Sequence, residues 1–433
     1  MLRPGGGLDD KKMQPAGWSR CWTLAGRAVM PWEMILLLMV GSFCAAFWLA
    51  WGLNCLALIP WRRSAGQHWT ERARWLWPAR KSARLNLWLI AANFAAAAMI
   101  LIPESNFLLV AGPALVGALL GSYPMSRELH PELRFKSWLH LVSASLLLFF
   151  AFWTVLFFGV VGMPDHFGPL TWAIAGGVLL TWLAFLFGLG VRLLGWLRVL
   201  KPAPPPLQAL VREMSQKMGV PVRATWVLST HLSNAVALPL TRQLIFTDKL
   251  LATHPDDEIK AICAHELGHL NEPRRVIFLR LLVALACFPL VFSQPLLAMG
   301  DSGGRILLGL LILVLLLFLI GIRLGRRMEK RADQIAVEST VSEPAVYARA
   351  LERLYQTGQM PAVMPRRANK IHPDLYDRML AAGVTPDFPR PAPPRGRHWT
   401  SYLALIGLLT FPLVVFLVKA VFCLFPLPTL PSP

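Results

Sequence analysis

The sequence predicts a mainly α-helical, polytopic membrane protein that carries one small α+β domain outside the lipid. Three observations predict it. Apolar runs recur at 34–59, 85–102, 107–120, 138–162, 170–197, 276–299, 306–322 and 402–425. Most of them reach the ~20 residues needed to cross hydrocarbon, which gives about seven or eight spans. Only 15% of the 433 residues are charged and 55% are apolar, against about 25% charged in a soluble globular protein. Between the runs, two polar stretches at 201–275 and 323–400 carry helical and strand-like patterns of their own.

The elements follow in order. The tail 1–33 precedes a first run that is too long for the apolar core of a cleavable signal and lacks a small-x-small cleavage site. Residues 34–200 form a block of about five spans, of which 107–120 is the shortest. Asn86 and Asn93 in the second span are placed to bond between helices. Charge sorts the loops. Arg62, Arg63, Arg72, Arg74, Arg80, Lys81 and Arg84 fill 60–84, and Arg127, Arg134 and Lys136 lie in 121–137, whereas 103–106 and 163–169 hold no Lys or Arg. Positive charge stays in the cytoplasm, so the basic loops and both polar stretches are expected inside. The same alternation puts the tail outside, although its Arg3, Lys11, Lys12, Arg20 and Arg27 favour the inside.

The net charge of +19 invites a nucleic-acid partner. Topology signals and attraction to the lipid bilayer use basic residues in the same way, and no basic module interleaved with aromatics occurs, so no nucleic-acid partner is expected. The six cysteines form no CxxC pair and read as small buried apolar residues.

In the first polar stretch, "KPAPPP" (201–206) is a stiff break. Leu207, Leu210, Val211, Met214 and Met218 then recur at helical spacing. Residues 222–228 and 242–248 read as strands bounded by turn residues, with a loop or irregular edge between them. Pro255 followed by Asp256, Asp257 and Glu258 marks the start of a helix over 254–272. Residues 276–322 form a hairpin of two spans joined by a glycine-rich turn. The second polar stretch follows, and 401–433 is a last span with a proline-rich tail. The two polar stretches, 201–275 and 323–400, are expected to pack into one domain.

On the 254–272 helix, His265 and His269 stand one turn apart on one face. Imidazoles at that spacing can grip one zinc ion, each at ~2.0–2.1 Å. Glu266, between them, can take a proton from water that such a metal activates. Hydrolytic zinc sites hold three protein ligands, and the candidate for the third is Glu329. His269 lies seven residues before the hairpin's first span at 276, and Glu329 seven residues after its second span ends at 322. Helical extensions would bring both to ~10 Å above the membrane edge. Asp333 shares the face of Glu329 and could accept a hydrogen bond from a ligating histidine. Gly268 leaves room for a neighbouring helix.

At these residues the sequence resembles the membrane metallopeptidases typified by the heat-shock protease HtpX and the CAAX prenyl protease, gluzincins with HExxH and a downstream ExxxD. "AHELGHL" carries His265, Glu266 and His269, and "EKRAD" carries Glu329 and Asp333. "NAVAL" from Asn234 is similar to the family's Asn-Ala segment beside the substrate strand, "LIFTDKLL" (244–251) to the passage after it, and "HPDLYDRM" to its His-Pro…Arg element. The resemblance covers roughly 205–380. It implies a zincin-like protease domain, one Zn2+ per chain, and hydrolysis of peptide bonds in membrane-associated proteins at the cytoplasmic face of a bacterial inner membrane. It further implies that Glu266 and His372 act in catalysis, His372 by stabilising the oxyanion. Asn234, Ala235 and Arg378 would bind substrate, which would add as a strand near 234–239. Two other readings stand beside it. One is an idle membrane scaffold that keeps a structural zinc. The other is a transporter, which the scarcity of charge within the spans of 34–197 disfavours.

Overall fold

A computed structural model of the chain describes residues 32–101, 108–339, 344–365 and 373–424. Among the described residues, eight helices are long and apolar enough to cross a membrane. By contact the chain divides into two units, one of residues 1–59, 78–128 and 397–433, the other of 60–77 and 129–396.

The first unit holds most of the helices Trp32–Arg63, Trp69–Leu101 and Tyr123–Leu129, and all of Leu108–Leu120 and Thr400–Leu424. Small residues let these helices approach closely. Ala46, Ala50, Ala114 and Ala118 are buried around Ile90, and a Cβ at Gly117 or Gly121 would collide with the carbonyl oxygens of Phe43 and Phe47. Small residues four apart are the usual contact between helices in lipid. Asn93 Nδ2 donates to Ala404 O at 3.4 Å, a bond between helices. Asn86 does not do the same: it is 1% exposed, and among the described residues its side-chain nitrogen and oxygen have no partner. The short third span is a helix of 13 residues, about 20 Å long. A turn at Gly121 and Ser122 separates it from the helix Tyr123–Leu129.

The second unit begins with an apolar hairpin, Phe135–Val161 and Pro169–Ala184, continued by a π-turn and the helix Gly190–Trp196. Gly188 in that π-turn has φ of 112°, open to glycine but not to most side chains. Trp182, Val178 and Leu156 fill the space between the hairpin's arms.

The polar part of this unit comprises strands β1 (Leu200–Pro202), β2 (Ala224–Leu228), β3 (Ala235–Leu238) and β4 (Gln243–Thr247). Its helices are α1 (Pro205–Met218), α2 (Asp248–Thr253), α3 (Asp256–Leu270), α4 (Arg274–Ala284), α5 (Ser293–Ala298), α6 (Asp301–Ser339), α7 (Pro344–Thr357) and α8 (Leu375–Ala381). The sheet order is β1-β2-β4-β3. β2 and β4 run parallel, while β1 and β3 pair antiparallel to them, so β1 and β3 are its edges. Leu244, Phe246, Leu250, Leu267, Tyr347 and Leu375 centre one core drawn from residues on both sides of the 276–322 hairpin. Burying a side chain of this size contributes about 1.5–3 kcal/mol.

Three elements differ from the sequence expectation. β1 forms where a stiff proline break was expected, because an edge strand tolerates the missing N–H of Pro202. β3 forms inside the stretch read as a loop or irregular edge. The hairpin's first arm is not one helix: α3 ends at Leu270, Pro273 caps α4, and a 3-10 turn over Phe288–Phe292 precedes α5. Proline lacks the donor that a helix interior requires, and Pro273 and Pro289 stand at these breaks. The second arm, α6, runs unbroken for 39 residues.

Candidate active site

α3 is the buried spine of the site. Its first turn carries Asp256, Asp257 and Glu258, which complement the positive end of the helix dipole. Glu258 accepts both Nε and Nη2 of Arg353, at 2.8 and 3.1 Å, fastening α7 to α3. One turn from the other end, His265 and His269 place their rings 4.9 Å apart.

α6 brings the third group. Glu329 Oε2 lies 3.7 Å from His265 Nε2, and its Oε1 lies 3.4 Å from His269 Nε2. One donor atom from each of the three residues lies within 4.8 Å of the others. A tetrahedral zinc with bonds of ~2.0–2.1 Å sets its donors about 3.4 Å apart, and the two His–Glu separations, 3.7 and 3.4 Å, come near that spacing. The approach of α6 depends on Gly268. A Cβ there would stand 3.2 Å from Ala332 Cα, between Glu329 and Asp333.

The outward ring nitrogens are also held. His265 Nδ1 lies 2.8 Å from Tyr347 Oη and 3.1 Å from Asp333 Oδ1. Tyr347 donates to Asp333 at 2.6 Å. Arg378 donates to both oxygens of Asp333, at 2.9 and 2.6 Å, and to Tyr347 Oη at 3.0 Å. His269 Nδ1 lies 3.1 Å from Glu272 Oε1, which also accepts from Arg280 Nη2 at 2.6 Å. Each imidazole is thus turned so that Nε2 faces the shared centre, the orientation that metal-binding histidines take from an outer carboxylate. Burial opposes a charged His269, but Glu272, Glu329 and Glu266 overcome it and raise its pKa to about 10. Carboxylates of Glu272, Glu329 and Asp333 thus stand against the two imidazoles. Cys263, by contrast, has its thiol pushed up to about 12 by burial and by Glu266, and it stays out of the donor set.

A cleft of about 280 Å3 opens over the triad, lined by Glu266, by Asn234 to Ala237 along β3, and by Arg280, Tyr347 and Arg378. Thr247 fixes the start of β3. Its hydroxyl accepts from Asn234 N at 2.9 Å and donates to Asn234 O at 3.0 Å, and its own N–H donates to the same oxygen.

Of the residues named from sequence, His265, Glu266, His269, Glu329, Asn234, Ala235 and Arg378 line this one cleft. Asp333 sits behind His265. Arg378, expected to bind substrate, is 7% exposed, and its guanidinium is engaged by Asp333 and Tyr347. His372 lies outside the described residues. Sequence reasoning missed Glu272, Tyr347 and Arg280. Glu272 had a signal, an acid three residues after a ligand candidate, whereas Tyr347 reads only as a core residue of an amphipathic helix.

Two histidines and a glutamate converge beneath an open strand edge, an acid stands beside them, and α6, which bears the glutamate, is long and apolar enough to cross a membrane: this is the constellation of a membrane metallopeptidase. Residues 204–383 match the model of peptidase family M48. The protease HtpX homolog of Polynucleobacter necessarius is 25% identical over 249 residues, covering 54% of this chain and 83% of that protein. The protease HtpX of Hahella chejuensis is 26% identical over 191 residues, covering 40% of this chain and 61% of its own length. A protease HtpX homolog of Methanothermobacter thermautotrophicus is 27% identical over 154 residues, with 35% and 59% covered. The chain thus spans about three fifths of the length of the latter two. Residues 204–383 are thus similar to an M48 peptidase domain, and the chain is a metalloprotease similar to the HtpX proteases, with helices long and apolar enough to cross a membrane.

Proposed function

We propose that the protein is an endopeptidase that cleaves membrane-associated proteins at the cytoplasmic face of a bacterial inner membrane, with one zinc ion held by His265, His269 and Glu329. The observation that carries this reading is the convergence of the two Nε2 atoms on the Glu329 carboxylate, at 3.4 and 3.7 Å, in the floor of a cleft walled by β3. When bound, zinc supplies Lewis acidity to a peptide carbonyl and acidity to water. Glu266 takes the proton of the attacking water and returns it to the leaving amine. The free edge of β3 receives the substrate backbone as an added strand, with Asn234 and Ala235 at its upstream end. Arg378 acts on Asp333 and so on the setting of His265. His372 is the candidate for stabilising the oxyanion. The cytoplasmic placement rests on the basic loops, which stay inside.

Glu266→Ala tests the mechanism. Cleavage of a membrane-protein reporter should vanish while expression and zinc content persist. Undiminished turnover would remove Glu266 as the base. Loss of zinc together with loss of turnover would leave the assignment of the base without support.

A further inference from the structure

We propose that an anionic phospholipid binds at the open end of the hairpin Phe135–Val161 and Pro169–Trp196, its headgroup among Lys136, Arg198 and Lys201 and an acyl chain along Leu139, Ala144 and Leu147.

Two adjoining cavities outline this ligand. One, of about 270 Å3, is lined by Lys136, Ser137, His140, Arg198, Lys201 and Ser229 among others. The other, of about 330 Å3, continues past Lys136 and His140 along Leu139, Ala144 and Leu147. The first is cationic: no acid lines it, and among the described residues none of its three cations has a carboxylate partner. Like charges gathered without a counter-charge repel one another, and a phosphodiester would relieve that repulsion.

The second cavity runs along one helix face. Lys136, Leu139, Ser143 and Leu147 recur at helical spacing, so they form one stripe along one face. Leu147 lies about 16 Å along the helix from Lys136, close to the depth of one leaflet of a ~30 Å hydrocarbon core. The hairpin brings the head and tail regions into register. Lys136 opens one arm, and Arg198 and Lys201 follow the end of the other, so all three sit at the same membrane boundary. His140 Nε2 lies 2.7 Å from Leu197 O, tying the two arms together there. Arg198 has φ of 57°, a left-handed backbone that an ordinary residue adopts only at a cost and that recurs at ligand clamps. β1 begins two residues later and pairs with β2, so the cavity adjoins one edge of the sheet whose other edge, β3, walls the cleft. A bound lipid would seat that sheet on the membrane surface.

The test uses the full-length protein purified in a neutral detergent. Phosphatidylglycerol and phosphatidylcholine with the same acyl chains are added in equal amounts, and retained lipid is counted by native mass spectrometry. The unaltered protein should retain phosphatidylglycerol about 10-fold over phosphatidylcholine. The triple variant Lys136→Gln, Arg198→Gln, Lys201→Gln should lose that preference while keeping its zinc, which controls for folding. The charge-conserving pair Lys136→Arg, Lys201→Arg should keep it. Equal retention of both lipids by the unaltered protein would overturn the proposal, as would a preference that survives in the triple variant. Displacement by glycerol phosphate as efficient as by whole lipid would overturn it too, since the acyl groove would then contribute nothing.

Discussion

His269 shows how much of a metal site lies behind its ligands. Its Nε2 faces Glu329 and its Nδ1 meets Glu272, whose carboxylate is in turn gripped by Arg280 from α4. Glu272→Gln keeps the size and an acceptor but removes the charge. Zinc affinity in that variant, measured by competition with a chelator, should fall about 10- to 100-fold, the usual cost of losing such a partner. Unchanged affinity would show that Glu272 does not set the ring. The two histidines and Glu266 were legible because the helical period alone places them. Glu272 was less so, since its position depends on α3 ending at Leu270 so that the chain turns back under His269. Tyr347 stands 82 residues from His265 and is brought to it only by the packing of α7, which no local pattern encodes.

At the scale of elements, β3 is the strand we propose holds the substrate. Asn234 bonds inward to Thr247, and the register pairs Val236 with Ile245 and Ala237 with Leu244. Bonded and non-bonded pairs alternate along an antiparallel ladder, so Val236 bonds inward while Ala235 and Ala237 offer their backbone groups to the free edge. Ala237→Pro removes one outward donor without breaking the ladder, which an edge strand tolerates. We expect KM for a peptide reporter to rise several-fold with thermal stability little changed; an unaltered KM would place the substrate elsewhere. β2 and β4 were readable from β-branched and aromatic runs between turn residues. β3 was not, because "NAVALPL" lacks such a run and is held as a strand by Thr247 and by its packing on α3. The broken first arm of the hairpin was half legible: Pro273 signalled a bend, but hydropathy runs across Pro289 without registering the 3-10 turn.

At the scale of the whole molecule, the eight helices among the described residues that are long and apolar enough to cross a membrane, with a polar domain built from two separated stretches, imply a fixed sidedness. Basic loops mark the cytoplasm, so a cysteine introduced into 163–169 of a cysteine-free variant should react with a membrane-impermeant maleimide applied to intact cells. One introduced at 390–396 should react only after the membrane is opened. The reverse pattern would put the active site outside. The number of spans was legible because burial in lipid demands long apolar runs; the division into two contact units was not, because it depends on which small faces meet.

The most direct test of the account is zinc K-edge X-ray absorption on the purified full-length protein. The account predicts two imidazole nitrogens and oxygen neighbours at ~2.0–2.1 Å with no sulfur at ~2.3 Å, and loss of one oxygen neighbour, or of the ion itself, in Glu329→Ala. A sulfur shell, or a spectrum that Glu329→Ala leaves unchanged, would contradict it.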